Sequence, residues 1–195
     1  MTKDDSMIAR TYAVGVLVGS LRAQSWSRKL ALALRDTAPA ALALEIIEIG
    51  GMSMYNFDHE PDPPVPWLDF RSRVRALDAV LVVTPEYNRS IPSVLKNAID
   101  VGSRPKGDSA FRGKPAAVIS VSPGAMGGYG ANQHVRQSLA CLDVAVMPGP
   151  EAYIGGIDRA FGDEGAIAVA STRAFLDLFM NTFAGWVEKL AQART

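Results

Sequence analysis

The run Tyr12-Ala13-Val14-Gly15-Val16-Leu17-Val18-Gly19-Ser20-Leu21-Arg22-Ala23-Gln24-Ser25-Trp26-Ser27 decides the fold. Tyr12 to Val18 is apolar throughout, the pattern of a strand covered on both faces. It breaks at Gly19 into a polar turn, and the turn leads into a helix with Leu30, Ala33 and Leu34 at helical spacing. The turn carries the hydroxyls of Ser20, Ser25 and Ser27 and the guanidinium of Arg22. Hydroxyls, backbone N–H groups and an Arg at a helix N-terminus are suited to an anion such as phosphate. An Arg can also grip a phosphate with two parallel N–H bonds.

The same design recurs further along. Ala79 to Val83 is a second apolar run, and Thr84-Pro85-Glu86-Tyr87-Asn88-Arg89-Ser90-Ile91-Pro92 follows it. Pro85 restricts that turn. Its many hydrogen-bonding groups suit a flat polar ring lying beside the phosphate. Together the two loops point to a mononucleotide cofactor.

Working outward, strands are expected at 12–18, 43–49, 79–84 and 115–121, with a short one near 143–147. Helices are expected at 25–37, 67–77, 91–101, 130–141 and 165–192. Ser25 is placed to cap the first helix, and Ser90 the third. Strands alternating with helices imply an α/β fold with a mostly parallel sheet. In such a sheet, ligands bind at the carboxyl ends of the strands, where the winding reverses. The loops after strands one, three and four all lie at carboxyl ends. The third of them is Ser122-Pro123-Gly124-Ala125-Met126-Gly127-Gly128-Tyr129-Gly130. Its glycines allow positive φ and let backbone come close to a ring. Ser122, Gly124, Gly127 and Gly128 therefore join the candidate cofactor contacts. Trp26 is a weaker candidate, a residue at home in a core or an interface as well as against a ligand. A long loop, 50–66, holds Pro61, Pro63, Pro64 and Pro66, and places Tyr55, Phe57 and Trp67 in or beside a surface segment.

The whole chain, 1–195, fits one domain with a sizeable core. Lys plus Arg and Asp plus Glu each number 20, so no net charge recruits nucleic acid or an anionic membrane. Residues 1–10 show no apolar leader, and the longest apolar runs are strand-sized, so no membrane association is expected. The one cysteine, Cys141, permits no internal disulfide and is expected as a small buried residue on the fourth helix. A cytoplasmic setting fits these features. His59 and His134 stand apart from other ligand types, so no metal site is expected. There is no G-x-S-x-G elbow, no Walker loop and no G-x-G-x-x-G fingerprint after the first strand.

Gly19-Ser20-Leu21-Arg22, with Ser25 and Trp26, resembles the phosphate loop of the NADPH-dependent FMN reductase family, which includes quinone, chromate and azo-dye reductases. Pro85-Glu86-Tyr87-Asn88-x-Ser90-x-Pro92, followed by Leu95-Lys96-Asn97-Ala98-Ile99-Asp100, resembles its flavin-ring loop and the helix after it. Gly113-Lys114-Pro115, and Gly127-Gly128 with Arg136, also fit. The similarity runs from about Tyr12 to Gly156. It implies a flavodoxin-like, doubly wound five-stranded parallel sheet of order 2-1-3-4-5 with helices on both faces. It also implies non-covalent FMN, NADPH or NADH as hydride donor, and a small acceptor such as a quinone, azo compound, chromate or free flavin. A homodimer or homotetramer with flavin sites near the interface is implied as well. The chain departs from the family pattern at Ser27, where Asn is usual, and at Ser93, Val101 and Arg89. The alternative is an FMN electron carrier that docks a protein partner. Such carriers tend to be acidic around the flavin, which the neutral charge balance does not match.

Overall fold

In the computed structural model, which describes residues 10–162 and 165–193, the two long apolar runs lie side by side at the centre of one sheet. β1 (Tyr12–Val18) pairs in parallel with β3 (Ala79–Thr84), from Val14 opposite Ala79 to Val18 opposite Val83. β2 (Leu42–Ile47) flanks β1, and β4 (Pro115–Ser122) flanks β3. Every residue of β3 is buried, because helices cover both faces of a central parallel strand. The fifth position holds two segments. β5 (Ala145–Val146) pairs with the start of β4, and β6 (Ala152–Gly155) with its end. The strand expected at 143–147 accounts for the first of these only. Pro148 and Pro150 lie between them and have no N–H to donate, so the ladder breaks there. All the pairings are parallel and the order is 2-1-3-4-5, the flavodoxin-like winding.

Among the described residues, five α-helices cover the sheet. α1 (Trp26–Asp36) and α5 (Ala170–Gln192) pack on one face, through residues such as Leu30, Leu34, Phe179 and Phe183. α2 (Val65–Ala76), α3 (Ser93–Gly102) and α4 (Tyr129–Cys141) pack on the other, around Trp67, Phe70, Leu95, Phe111 and Leu139. α5 begins five residues after the expected start at 165. Gly165 has φ 77, outside helical backbone, and Phe161 pairs with Ile167 as an isolated bridge. Cys141 is exposed, contrary to expectation. It is the last residue of α4, off the buried stripe of Ala131, Val135 and Leu139.

The 50–64 segment is strapped to the second core. Asn97 accepts the Tyr55 N–H at 2.7 Å and donates to the Ser53 carbonyl at 3.0 Å. Trp67 Nε1 donates to the same carbonyl at 3.2 Å. Buried Arg71 reaches Glu60 at 2.6 Å and the Val101 carbonyl at 2.8 Å. Trp67 itself is fully buried, so it adds nothing to a surface. The exposed apolar residues here are Met54, Phe57, Val65 and Leu68. No helix of the described residues is long and apolar enough to cross a membrane. Of the segment read for a leader, 1–10, residues 1–9 lie outside the described residues.

Candidate functional site

β1 has β2 on one side and β3 on the other, so the winding reverses between β1 and β3. The polar turns after these two strands therefore start next to each other. Gly19 makes the close approach possible. A Cβ there would lie 2.4 Å from Thr84 Oγ1 and 3.1 Å from Thr84 Cα.

The first turn forms a lined recess. Ser25 has extended backbone (φ −75°, ψ 138°) and caps α1 by accepting the Arg28 N–H at 3.0 Å. Its hydroxyl also lies 3.3 Å from that of Ser27. Ser20 Oγ accepts the Arg22 N–H at 3.4 Å. All three serines are buried, with 5%, 3% and 1% of Ser20, Ser25 and Ser27 exposed. The first N–H groups of α1, on Trp26 and Ser27, have no acceptor inside the helix. The turn thus gathers hydroxyls and helix-end N–H groups, with Arg22 exposed at its mouth. Trp26 is half-buried and stacks on Phe161 at 5.7 Å between centroids.

The second turn is tight. Tyr87 and Ser90 exchange backbone hydrogen bonds at 3.1 and 2.9 Å. Asn88 and Arg89 between them both have left-handed backbone, φ 51° and 64°. That is the geometry of a two-residue hairpin turn of the primed type. The Tyr87 hydroxyl lies 3.5 Å from Ser20 Oγ, which joins the two loops. Glu86 turns toward α4. Its Oε2 accepts the Ala131 N–H at 3.1 Å, and its Oε1 accepts from Arg89 at 3.2 Å. Ser90 does not cap α3. The capping residue is Pro92, and the Ser90 hydroxyl lies 2.9 Å from His134 Nδ1. A residue before proline is held away from helical backbone, so the helix starts after the Ile91-Pro92 pair.

The glycine turn after β4 completes the rim. Ser122 Oγ accepts the Gly124 N–H at 3.0 Å. Gly128 caps α4 in left-handed backbone, φ 77°. Beside it, Tyr153 packs edge-on against Tyr129, with 5.2 Å between ring centroids. Its phenol is pushed up to about 12 by burial, reinforced by its hydrogen bond with Glu151.

Ser20, Arg22, Ser25, Trp26, Ser27, Pro85, Glu86, Tyr87 and Ser122 line one pocket of about 180 Å³. Asn88, Ser90, Gly124, Gly127 and Gly128 do not line it. They belong to the turns that border it. Val121 and Pro123 line it and were not singled out. Their signal was positional, since they bracket Ser122 at the carboxyl end of β4. A larger cavity, about 670 Å³, runs along the second half of α1 beside Gly165–Ile167 and has none of this serine-lined character. Among the described residues, no group of three or more His, Cys, Asp or Glu is placed to hold a metal.

The family model described as NADPH-dependent FMN reductase matches residues 12–158. A quinone reductase from Pseudomonas putida is 56% identical over 182 residues, 93% of this chain and 97% of that one. A 2-hydroxy-1,4-benzoquinone reductase from a Burkholderia species is 42% identical over 174 residues, 89% and 95% of the two chains. Among solved structures, a flavoenzyme NAD(P)H:acceptor oxidoreductase from Paracoccus denitrificans superposes with a TM-score of 0.87. It is 40% identical and covers 92% of this chain and 98% of its own.

Proposed function

This chain belongs to the NADPH-dependent FMN reductase family, and on that premise we propose that it is an NAD(P)H-dependent quinone reductase that uses FMN. The observation that carries the reading is the serine-lined recess at the N-terminus of α1, touching the second loop through Tyr87 and Ser20. It fits the phosphate end of a mononucleotide in donor chemistry. Buried hydroxyls, helix-end N–H groups and one guanidinium are available there, and the pocket's single carboxylate, on Glu86, is turned away to α4.

In this reading Ser20, Ser25 and Ser27, the backbone of Trp26 and the side chain of Arg22 hold the phosphate. Pro85, Glu86, Tyr87, Asn88 and Ser90 border the flavin ring on one side, and Ser122, Gly124, Gly127 and Gly128 on the other, largely through backbone groups. Bound FMN supplies the redox chemistry, taking up hydride from NAD(P)H and passing electrons to an acceptor such as a quinone. The chain's part is to bind, orient and exclude water, and its N–H dipoles favour the negative charge that develops on reduction. No side chain needs to act as acid or base. The pocket holds no histidine, and burial with the Glu151 hydrogen bond keeps the Tyr153 phenol protonated to a higher pH than that of an ordinary tyrosine. Donor and acceptor use the same open face in turn, the pattern of a ping-pong cycle. One flavin site per chain of 195 residues and a reducing, cytoplasmic setting complete the reading.

Two measurements test it together. The cofactor released by heat is identified chromatographically, and the loaded protein is mixed with NADPH, and separately NADH, without oxygen. The expected results are FMN and rapid bleaching of the flavin. Release of FAD, or no uptake of FMN on reconstitution, defeats the cofactor assignment. A flavin that stays oxidised with both nucleotides defeats the reductase assignment and favours the electron carrier.

The same reading includes a homodimer or homotetramer whose interface borders the flavin. Met54, Phe57, Val65 and Leu68 supply exposed apolar area on a segment already pinned in place. A two-fold axis uses such a patch twice. If a partner subunit completes the site, FMN stabilises the assembly by mass action. Sedimentation across a dilution series, with and without FMN, is expected to show an oligomer that FMN holds together to lower concentration. A monomer at all concentrations that retains FMN and turns over normally defeats the shared interface.

A further inference from the structure

We propose that Arg89 makes the open face of the site selective for co-substrates that carry a negative charge. The proposal deepens the reductase reading and rests on it. Arg89 stands at the tip of the second turn with its side chain 73% exposed. It is nevertheless fixed in direction. Its Nη1 donates to Glu86 Oε1 and to Met126 Sδ, both at 3.2 Å. Its Nε and Nη2 make no hydrogen bond among the described residues. Glu86 does not spend its whole charge on Arg89, because its other oxygen sits at the positive end of α4 on the Ala131 N–H. Of the pair, the guanidinium is the exposed member and the carboxylate the covered one, with 73% and 11% of their side chains exposed.

The surroundings suit a planar molecule. Tyr87 on the same turn, Met126 on the glycine turn and Tyr129 at the start of α4 are all about half exposed, from 45% to 56%. They offer aromatic and apolar area, and Arg89 adds the charge among them. Arg22, on the first turn, is assigned to the cofactor's phosphate. The backbone of Arg89 points the same way. Its φ of 64° is one that glycine or asparagine adopts more readily than arginine. An arginine at an unfavourable backbone position is a reason to look for a use. A guanidinium fits an oxyanion with two parallel N–H bonds. Such an oxyanion comes from either of two sources: an acidic group on the acceptor, or the extra phosphate that distinguishes NADPH from NADH.

The test compares FMN-loaded wild type, Arg89→Gln and Arg89→Lys in two arms. The first measures KM for 1,4-naphthoquinone and for its 2-sulfonate at saturating NADH. The second measures calorimetric binding of NADP⁺ and NAD⁺ to the oxidised protein and needs no turnover. For Arg89→Gln the charged-to-neutral ratio of KM or Kd is expected to move against the charged molecule by roughly three- to tenfold, the size of a charge-assisted hydrogen bond at a partly exposed site. Arg89→Lys is expected to recover much of it. A shift confined to the sulfonate assigns the charge to the acceptor. A shift confined to NADP⁺ assigns it to the nucleotide. Unchanged ratios in both arms, even if all affinities fall together, overturn the proposal and leave Arg89 as a support for the turn. If wild-type flavin is reduced by neither nucleotide, the reductase reading fails, and the binding arm still decides the role of Arg89.

Discussion

Arg22→Ala is expected to weaken FMN binding by about 1.5–3 kcal/mol, the range for hydrogen bonds to charged groups, or roughly tenfold to a hundredfold in Kd. The residue sits at the mouth of a recess whose walls are the buried hydroxyls of Ser20, Ser25 and Ser27. Those hydroxyls are neutral donors, and the N–H groups at the start of α1 carry only part of a charge. Among the described residues, Arg22 is the one full positive charge lining that pocket. Riboflavin separates this role from a general loss of structure, because it lacks the phosphate and keeps the ring. Titration by flavin fluorescence with both ligands should show a large loss for FMN and a small one for riboflavin. Equal losses would mean that Arg22 supports the fold of the turn and does not meet the phosphate.

Gly127→Ala is expected to destabilise the protein by roughly 2–5 kcal/mol, adding the penalty for left-handed backbone to that for overpacking. Its φ is 60°, and a Cβ there would lie 2.4 Å from the carbonyl carbon of Tyr153 and 2.6 Å from its oxygen. These are backbone atoms of β6, held in register with β4, so they cannot swing aside as a side-chain tip does. For a chain of this size, each kcal/mol lowers Tm by about 2–4 °C, so thermal melting followed by circular dichroism reads the effect easily. Gly124→Ala serves as the contrast in the same turn. A Cβ at Gly124 meets only Ser122 Oγ, at 3.4 Å. If the two variants melt together, the close approach of Gly127 to β6 does not matter to stability.

The central elements were legible because one strong signal governs them. β1 and β3 are buried along nearly their whole length, and their boundaries fall where the apolar runs stop, at Val18 and Thr84. The serine turn after β1 was legible for a related reason: its cap, Ser25, acts on an N–H three residues away. What stayed hidden depends on distant partners. Glu86 looks like a ring-loop residue in sequence, yet its anchor is Ala131, 45 positions later. Ser90 looks like a helix cap, and its hydroxyl goes instead to His134 on α4. Trp67, next to a proline-rich loop, reads as surface until Ser53 and Tyr55 fold over it. β6 has no apolar run long enough to announce itself, and it forms because the end of β4 offers it a free edge.

That broken fifth strand also governs how the protein can meet other chains. An exposed sheet edge invites a foreign strand to add to it, which is a route to aggregation. Here one edge offers two short pieces, of 2 and 4 residues, separated by a stretch with two prolines. One of its carbonyls, on Ala145, is already taken by Trp186 Nε1 at 2.8 Å. A neighbouring molecule finds no unbroken row of amides there to template on. The interruption thus works against strand addition along that edge, and it leaves side chains on helices and loops, rather than main-chain amides, as what that flank of the molecule presents to a neighbour.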